Sequence, residues 1–506
     1  MKKAADFLRR RELLLALLLL LLGTLLRFLF LGALPPGLNQ DEASIGYDAW
    51  SLLRYGVDRN GDPWPVLFQS WGSGQNVLYA WLSLPFLGLF GLSTLSLRLC
   101  AAFWGSLSLL LFWLLGRRSL GKGFGLLGLL LLALDPWHLL LSRWALESNL
   151  LPAFLLLGVF FLCRVPERPR LLCAAAAAFA LGLYAYGTAF LFLPLFLLGA
   201  SLRLLRRKYV GLRHYLAALA VFVLLALPLA LCQARNILGL PAARFLGLTL
   251  PALTETRQAA TVSLSLTHWR DLGLLLWKQS DGLPWNSAGP FGLLYGIPGL
   301  LLALLGLRRL LGLLCKGKAE DVRVYVLLSL LSALAAALFI DVNVNRVNFL
   351  FLPLVWCQAE GLLFLWRKCA ALLPALLLAL LLAALGLGRW YASKGAETLA
   401  PAFHDGLTEA IRCAEGLEPE SLWITGKVNA PYIYVLFALE IPPEDFYTTV
   451  RYRDPDWPFR QVLSFGKYRF YGEAPPGLCI LPVWEAEKDE TLAVFGGYAV
   501  VLHGEA

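Results

Sequence analysis

Long runs of apolar residues recur through most of this chain and limit the folds open to it. The runs at residues 13–34, 327–340 and 372–387 approach or reach the length needed to cross about 30 Å of hydrocarbon as a helix. Hydrophobic residues make up 58% of the chain and charged residues only 15%, far from the balance of an ordinary soluble domain. Backbone groups in lipid must be satisfied within their own segment, so the sequence predicts a polytopic α-helical membrane protein.

The positive charge lies in short connections between the apolar runs. The formal net charge is +10, and Lys and Arg cluster in the first twelve residues, at 117–122, 164–170, 203–213 and 308–323, and at 367–368. This is the pattern of cytoplasmic loops, not of a nucleic-acid surface, and we expect no nucleic-acid partner. If every cluster is cytoplasmic, about eleven spans follow, with the N-terminus inside as a retained signal anchor and the C-terminus outside. That count requires the apolar run at 77–92, which contains Pro85 and several aromatic residues, to form an outer juxtamembrane helix.

The character of the chain changes near residue 392. Apolar runs shorten to strand length at 422–425, 479–483 and 498–502, and a helix with a polar face is predicted over 398–415. We therefore divide the chain into a transmembrane part, 1–391, and a small extracytoplasmic α/β domain, 392–506. An extracytoplasmic location would permit a disulfide between Cys413 and Cys479, but the sequence does not decide whether they pair.

Two adjacent carboxylates, Asp41 and Glu42, follow closely on the first apolar run. A partly desolvated carboxylate at a membrane surface can have a raised pKa and act as a general base on a hydroxyl. The alternative is that these acids belong to a solvated loop turn or stand at a helix N-terminus. The same predicted outer loop contains Tyr47 and Asp58 together with several tryptophans, and acids among aromatic side chains suit sugar recognition.

A second predicted outer segment interrupts an apolar run with Arg143, Glu147 and Asn149. Ionisable residues at such depth are candidates for function, although Arg143 and Glu147 are four residues apart and could pair along one helix face. Arg98 and Arg346 stand at the predicted outer ends of spans, against the positive-inside bias. A guanidinium there suits the phosphate of a lipid carrier, or else snorkels to lipid headgroups.

Together these features resemble the GT-C membrane glycosyltransferases, specifically glycosyltransferase family 39, over roughly residues 10–390. The motifs that carry the resemblance are Asp41-Glu42, Tyr55-Gly56-x-Asp58-x-x-Gly61, Arg98-Leu99, Pro136-Trp137 with Ser142-Arg143, and Asn345-Arg346 leading to Pro353.

The resemblance implies a GT-C fold and an inverting enzyme that takes sugar from a polyprenyl-phosphate donor on the outer face. It implies that Asp41 is the general base and that Glu42 helps to position substrate. It also implies that Arg98, Arg143 and Arg346 stabilise the departing phosphate. Further candidates for substrate binding are Tyr47, Asp58, Glu147 and Asn149.

Several matters stay open at the level of sequence. The acceptor, a hydroxyl or amine on a glycan, lipid or protein, is not identified, and neither is the sugar or the oligomeric state. The sequence identifies no cofactor with certainty, and metal dependence stays open because the acid pair could bind a divalent cation. The main rival is a polytopic transporter or lipid flippase, which would instead place charges near span centres. A bacterial plasma membrane is the expected location.

Overall fold

The computed structural model describes residues 2–70, 73–253, 263–455 and 460–504, so part of the predicted outer loop at 233–290 lies outside it. Up to residue 390 this part of the chain is mainly helical. Helices α1 to α8 are Lys2–Phe28, Gln40–Tyr55, Leu78–Phe90, Thr94–Leu120, Lys122–Leu134, Pro136–Leu141, Leu151–Leu162 and Leu171–Ala185. Helices α9 to α15 are Ala189–Arg207, Leu212–Ile237, Thr267–Lys278, Gly296–Cys315, Asp321–Ala337, Phe351–Lys368 and Leu372–Trp390.

The polytopic helical architecture predicted from the sequence is confirmed. Among the described residues, six helical stretches are long and apolar enough to cross a membrane, and four more apolar helices are shorter. The count of eleven spans remains a prediction. The run at 77–92 does form a separate short helix, α3, whose last turn ends at Gly91 in the left-handed region.

Small residues allow the helices of the bundle to approach closely. A side chain at Gly306 in α12 would meet the carbonyl oxygen of Cys357 at 1.8 Å, and one at Gly361 in α14 would meet that of Leu302 at 2.2 Å. Both contacts are far inside van der Waals distance, so only glycine permits α12 and α14 to pack backbone against backbone.

Two short hairpins interrupt the helical part. Strands β1, Leu67–Ser70, and β2, Ser73–Asn76, pair antiparallel after α2. Strands β3, Ala243–Phe245, and β4, Leu248–Leu250, pair after α10. A further hydrogen bond from Val66 N to Thr249 O, 3.0 Å long, joins the two regions.

The C-terminal part is a mixed sheet with helices on one face. Three of its strands were predicted within two residues, whereas the predicted helix at 398–415 is interrupted. A π-helical turn at Tyr391–Gly395 leads into a four-residue helix, and a turn containing Gly406 at φ 86° separates that from the next helix. The helices are α16, Ala396–Leu399; α17, Leu407–Glu415; α18, Pro431–Leu439; and α19, Pro443–Tyr447. The strands are β5, Leu422–Ile424; β6, Arg451–Tyr452; β7, Val462–Phe465; β8, Tyr468–Phe470; β9, Gly477–Pro482; β10, Glu490–Phe495; and β11, Tyr498–His503.

The sheet order is β10-β11-β9-β5-β8-β7-β6, with β5 parallel to both neighbours. Cys413 and Cys479 lie in α17 and β9, and both are free thiols, so the disulfide considered from sequence is not formed. Buried residues of α2, such as Ile45, and of α18, such as Phe437, belong to one continuous apolar cluster. The transmembrane part and the C-terminal domain, divided near residue 392, therefore share one hydrophobic core.

Candidate active site

The first turn of α2 is held by a capping box. The Asn39 side chain accepts a hydrogen bond from Asp41 N at 3.0 Å, and Asn39 N donates to Glu42 Oε2 at 3.1 Å. Asp41 and Glu42 thus follow the cap directly, where the helix dipole favours negative charge. Both acids do lie at a helix N-terminus, in the first turn of α2. The two side chains differ in burial.

Glu42 is fully buried and forms an ion pair with Arg98 of α4. Its Oε1 accepts from Arg98 Nε and Ala145 N, both at 2.8 Å, while Oε2 accepts from Arg98 Nη2 at 2.8 Å. With the Asn39 contact, four donors surround this carboxylate. Glu42 therefore joins α2, α4 and the segment after α6, and it has no oxygen turned toward open space.

Arg98 is also fully buried, and its remaining donors hold the connection between α1 and α2. Nη1 donates to Pro35 O at 2.7 Å and Leu31 O at 3.3 Å, and Nη2 donates to Gly37 O at 2.9 Å. All its N–H groups have partners in this structure, which leaves none for a phosphate. These hydrogen bonds hold the loop that leads into Asp41.

Arg143 has a comparable position at the end of α1. Nη1 donates to Leu26 O at 2.7 Å, and Nη2 donates to Leu29 O at 2.8 Å and Leu34 O at 3.1 Å. The guanidinium also lies 5.5 Å from the ring centre of Tyr391. A cation at these carbonyls satisfies acceptors that a helix end leaves open. Residues 142–146 are not helical, so Arg143 and Glu147 do not pair along one helix face, and Glu147 accepts a hydrogen bond from Asn76 N.

Asp41 differs from Glu42 in being only half-buried. Arg98 and Glu42 fix the turn on which it stands. The acid pair therefore contains one fully buried and one half-buried residue, a distinction that the sequence does not reveal.

A second buried ion pair lies further along α2. Asp48 Oδ2 and Arg59 Nη2 are 2.6 Å apart with both side chains almost entirely buried, and Arg59 Nη1 donates to Tyr432 OH of α18 at 3.3 Å. Tyr47 OH likewise donates to Ile441 O at 2.6 Å. The candidate Tyr47 therefore fastens the C-terminal domain to α2, and it is fully buried.

The candidate Asp58 forms the turn beside this ion pair. Its Oδ1 accepts from Asn60 N at 2.8 Å and Asp62 N at 3.0 Å, while its buried Oδ2 has no hydrogen-bond partner among the described residues. Burial, together with the nearby Asp48 and Asp62 carboxylates, raises the pKa of Asp58 to about 8.

The candidate Asn149 lines a small cleft between α6 and the segment before α14. The cleft is narrow, with a cavity volume of about 10 Å³, which is room for roughly one water molecule. It is walled by three tryptophans and four asparagines, with apolar residues between them: Trp137, Trp144, Trp285, Asn149, Asn286, Asn345 and Asn348. Indole rings with amide side chains are suited to the faces and hydroxyls of a sugar.

Arg346 directly follows Asn345 of this cleft. Its side chain is 29% exposed and pairs with Asp341 at 3.0 Å, and Asp341 is itself 67% exposed. Among the three arginines suggested by the resemblance, Arg346 alone is partly exposed and held only by an exposed partner.

The described residues contain no group of three or more His, Cys, Asp or Glu side chains placed to hold a metal. The sequence reasoning also missed Asp48, Arg59 and Tyr432. Tyr432 lies 373 residues from Arg59, so no local pattern connects it with the Asp48–Arg59 pair.

The comparisons agree with this architecture. Residues 75–229 match the family model described as dolichyl-phosphate-mannose-protein mannosyltransferase. The crystal structure of ArnT from Cupriavidus metallidurans in the apo state is 12% identical over 98% of each chain, with a TM-score of 0.55. The same protein bound to undecaprenyl phosphate gives a TM-score of 0.57 at 12% identity over 96% of this chain and 97% of that one. No curated protein sequence matches the chain significantly. The fold is thus that of the GT-C membrane glycosyltransferases, and the resemblance to them that the sequence indicated is confirmed.

Proposed function

We propose that this protein is an inverting membrane glycosyltransferase that moves a sugar from a polyprenyl-phosphate donor to an acceptor hydroxyl or amine on the extracytoplasmic face. The observation that carries the proposal is the half-buried Asp41 on a helix turn braced by the buried Glu42–Arg98 pair. The GT-C fold supports the proposal as well. A protein structure with this fold, matched over 96% of the chain, has undecaprenyl phosphate bound.

Asp41 is the proposed general base. It accepts the proton from the acceptor hydroxyl or amine as the acceptor atom attacks the anomeric carbon from the side opposite the phosphate. The bond from that carbon to the phosphate oxygen breaks, and the lipid phosphate leaves with the electron pair. Glu42 acts on substrate through Asp41, since its oxygens are occupied by Arg98, Asn39 and Ala145.

Arg346 is the proposed partner of the departing phosphate. Its single side-chain partner, Asp341, lies at an exposed position, so exchange of that contact for a phosphate costs little. The neighbouring cleft with Asn149 and Asn345 is the proposed contact surface for the donor sugar, and it has to widen when the sugar binds because its cavity volume is only about 10 Å³. We assign Arg98 and Arg143 to positioning, because both are buried against main-chain carbonyls.

The test uses purified full-length protein in detergent with radiolabelled undecaprenyl-phosphate sugars and a panel of acceptors. We expect wild-type transfer, and we expect Asp41→Asn to lose at least about a hundredfold in rate with unchanged unfolding, as removal of a general base does. Asp271→Asn, an exposed acid of α11, is the matched control and should transfer at the wild-type rate. Full transfer by Asp41→Asn would refute the role of Asp41.

The orientation has its own test. A reporter fused after Ala506 should report the extracytoplasmic side, because the basic clusters predict an outward C-terminus. A cytoplasmic signal would contradict both the predicted topology and the proposed side of the reaction.

A further inference from the structure

Helix α18 of the C-terminal domain packs directly along α2. A side chain at Gly46 of α2 would meet the ring of Phe437 at 2.8 Å, so the two helices touch where α2 has no side chain. At one end of this contact Tyr47 OH donates to Ile441 O. One turn before Phe437, α18 presents Tyr434 toward the beginning of α2.

The hydroxyl of Tyr434 is fully buried and has no hydrogen-bond partner among the described residues. Its ring meets the His404 ring edge-on, with centroids 5.4 Å apart, but His404 Nδ1 is engaged with Tyr498 OH at 2.7 Å. A buried hydroxyl without a hydrogen-bond partner is costly, so each such group calls for an explanation, and a ligand that accepts its hydrogen bond is one.

The surroundings of this hydroxyl connect it with the acid pair. Burial raises the pKa of Tyr434 well above 10, with smaller contributions from Tyr498 and from the Asp41 and Glu42 carboxylates. The tyrosine is therefore within electrostatic reach of both acids. It is a neutral donor at physiological pH, next to the turn that carries Asp41.

We propose that Tyr434 belongs to the acceptor site, where its hydroxyl donates a hydrogen bond to the acceptor as the acceptor reaches Asp41. The C-terminal domain would then form one wall of the reaction site in addition to anchoring α2. This inference rests on the proposed transferase function. Binding requires α18 to move slightly away from α2, since the hydroxyl has no open space beside it in this structure.

The test is Tyr434→Phe in the full-length protein, which removes only the oxygen. A purely structural tyrosine predicts no loss, because the oxygen makes no hydrogen bond that the variant would break. The proposal predicts unchanged thermal unfolding and unchanged affinity for undecaprenyl phosphate. It also predicts an acceptor KM raised so that kcat/KM for the acceptor falls about tenfold or more.

Tyr215→Phe is the matched control, because Tyr215 OH in α10 is also buried without a partner. It should leave transfer unchanged. Wild-type kinetics in Tyr434→Phe would refute the role of Tyr434 and leave the proposed transferase function standing. A loss of activity that only parallels a loss of stability would do the same. A wild-type protein that transfers no sugar would instead refute the proposed function, and the inference would fall with it.

Discussion

Substitution of Glu42 by Gln tests how the acid turn is held. The two carboxylate oxygens accept from Arg98 twice, from Ala145 N and from Asn39 N, at 2.8 to 3.1 Å. Glutamine replaces one acceptor oxygen by an NH2 group, which cannot accept the hydrogen bonds that N–H donors make to that oxygen. The substitution also leaves the charge of Arg98 buried without a counter-ion. Loss of one partner from a buried ion pair costs about 3–5 kcal/mol, so we expect a fall of that size in the free energy of unfolding.

The measurement is reversible unfolding in mixed micelles, with SDS as denaturant and helicity as readout. Asp271→Asn is the control because it breaks the exposed Arg270–Asp271 pair, 3.0 Å long, which is worth about 0–1 kcal/mol. A double-mutant cycle with Arg98→Met isolates the pair, and the two variants together should destabilise by less than their sum. If Glu42→Gln unfolds at the same SDS fraction as Asp271→Asn, the bracing of the Asp41 turn by Glu42 and Arg98 is refuted.

Three further outcomes are expected. Asp48→Asn should lower the free energy of unfolding by about 3–5 kcal/mol, because it removes the carboxylate charge that faces the buried Arg59 guanidinium, and it should speed hydrogen exchange where the C-terminal domain meets α2. Because the pKa of Asp58 is raised to about 8, the folded state binds the extra proton between about pH 4 and pH 8. Stability to SDS should fall as the pH rises through that window, and Asp58→Asn should flatten the dependence. Mass spectrometry after thiol labelling of the denatured, unreduced protein should find both Cys413 and Cys479 modified, and a protected pair would contradict the structure.

The pattern of apolar and polar residues along the sequence was sufficient to predict the fold class and several helices and strands. Apolar runs of membrane-crossing length indicate helices because lipid offers the backbone no alternative partner. Strands in the C-terminal domain were recognisable from short apolar runs, and three matched within two residues. The helix expected at 398–415 failed because a π-helical turn and the left-handed Gly406 break it, and apolar periodicity does not report such turns.

The sequence suggested which residues belong to the candidate site, but it did not predict their contacts or their burial. Arg98 and Arg143 were expected at a phosphate, whereas both are buried at carbonyls of the connection after α1. An arginine on the predicted outer side has the same local sequence context whether it faces a ligand or a main-chain turn. The sequence did not indicate Tyr434 as a site residue, because an aromatic residue in an apolar run is ordinarily part of a hydrophobic core.

The sequence by itself determined that this is a polytopic helical membrane protein with an acid pair just after its first long helix and an α/β domain at its end. Those features depend on composition and on periodicity over neighbouring residues. Only the tertiary structure decided that Glu42 is fully buried while Asp41 is half-buried, because Arg98, the ion-pair partner of Glu42, lies 56 residues away. It also decided that the C-terminal domain meets α2, through a hydrogen bond from Tyr47 to Ile441 that spans 394 residues. Burial and charge pairing at that range arise from packing, which no local pattern encodes.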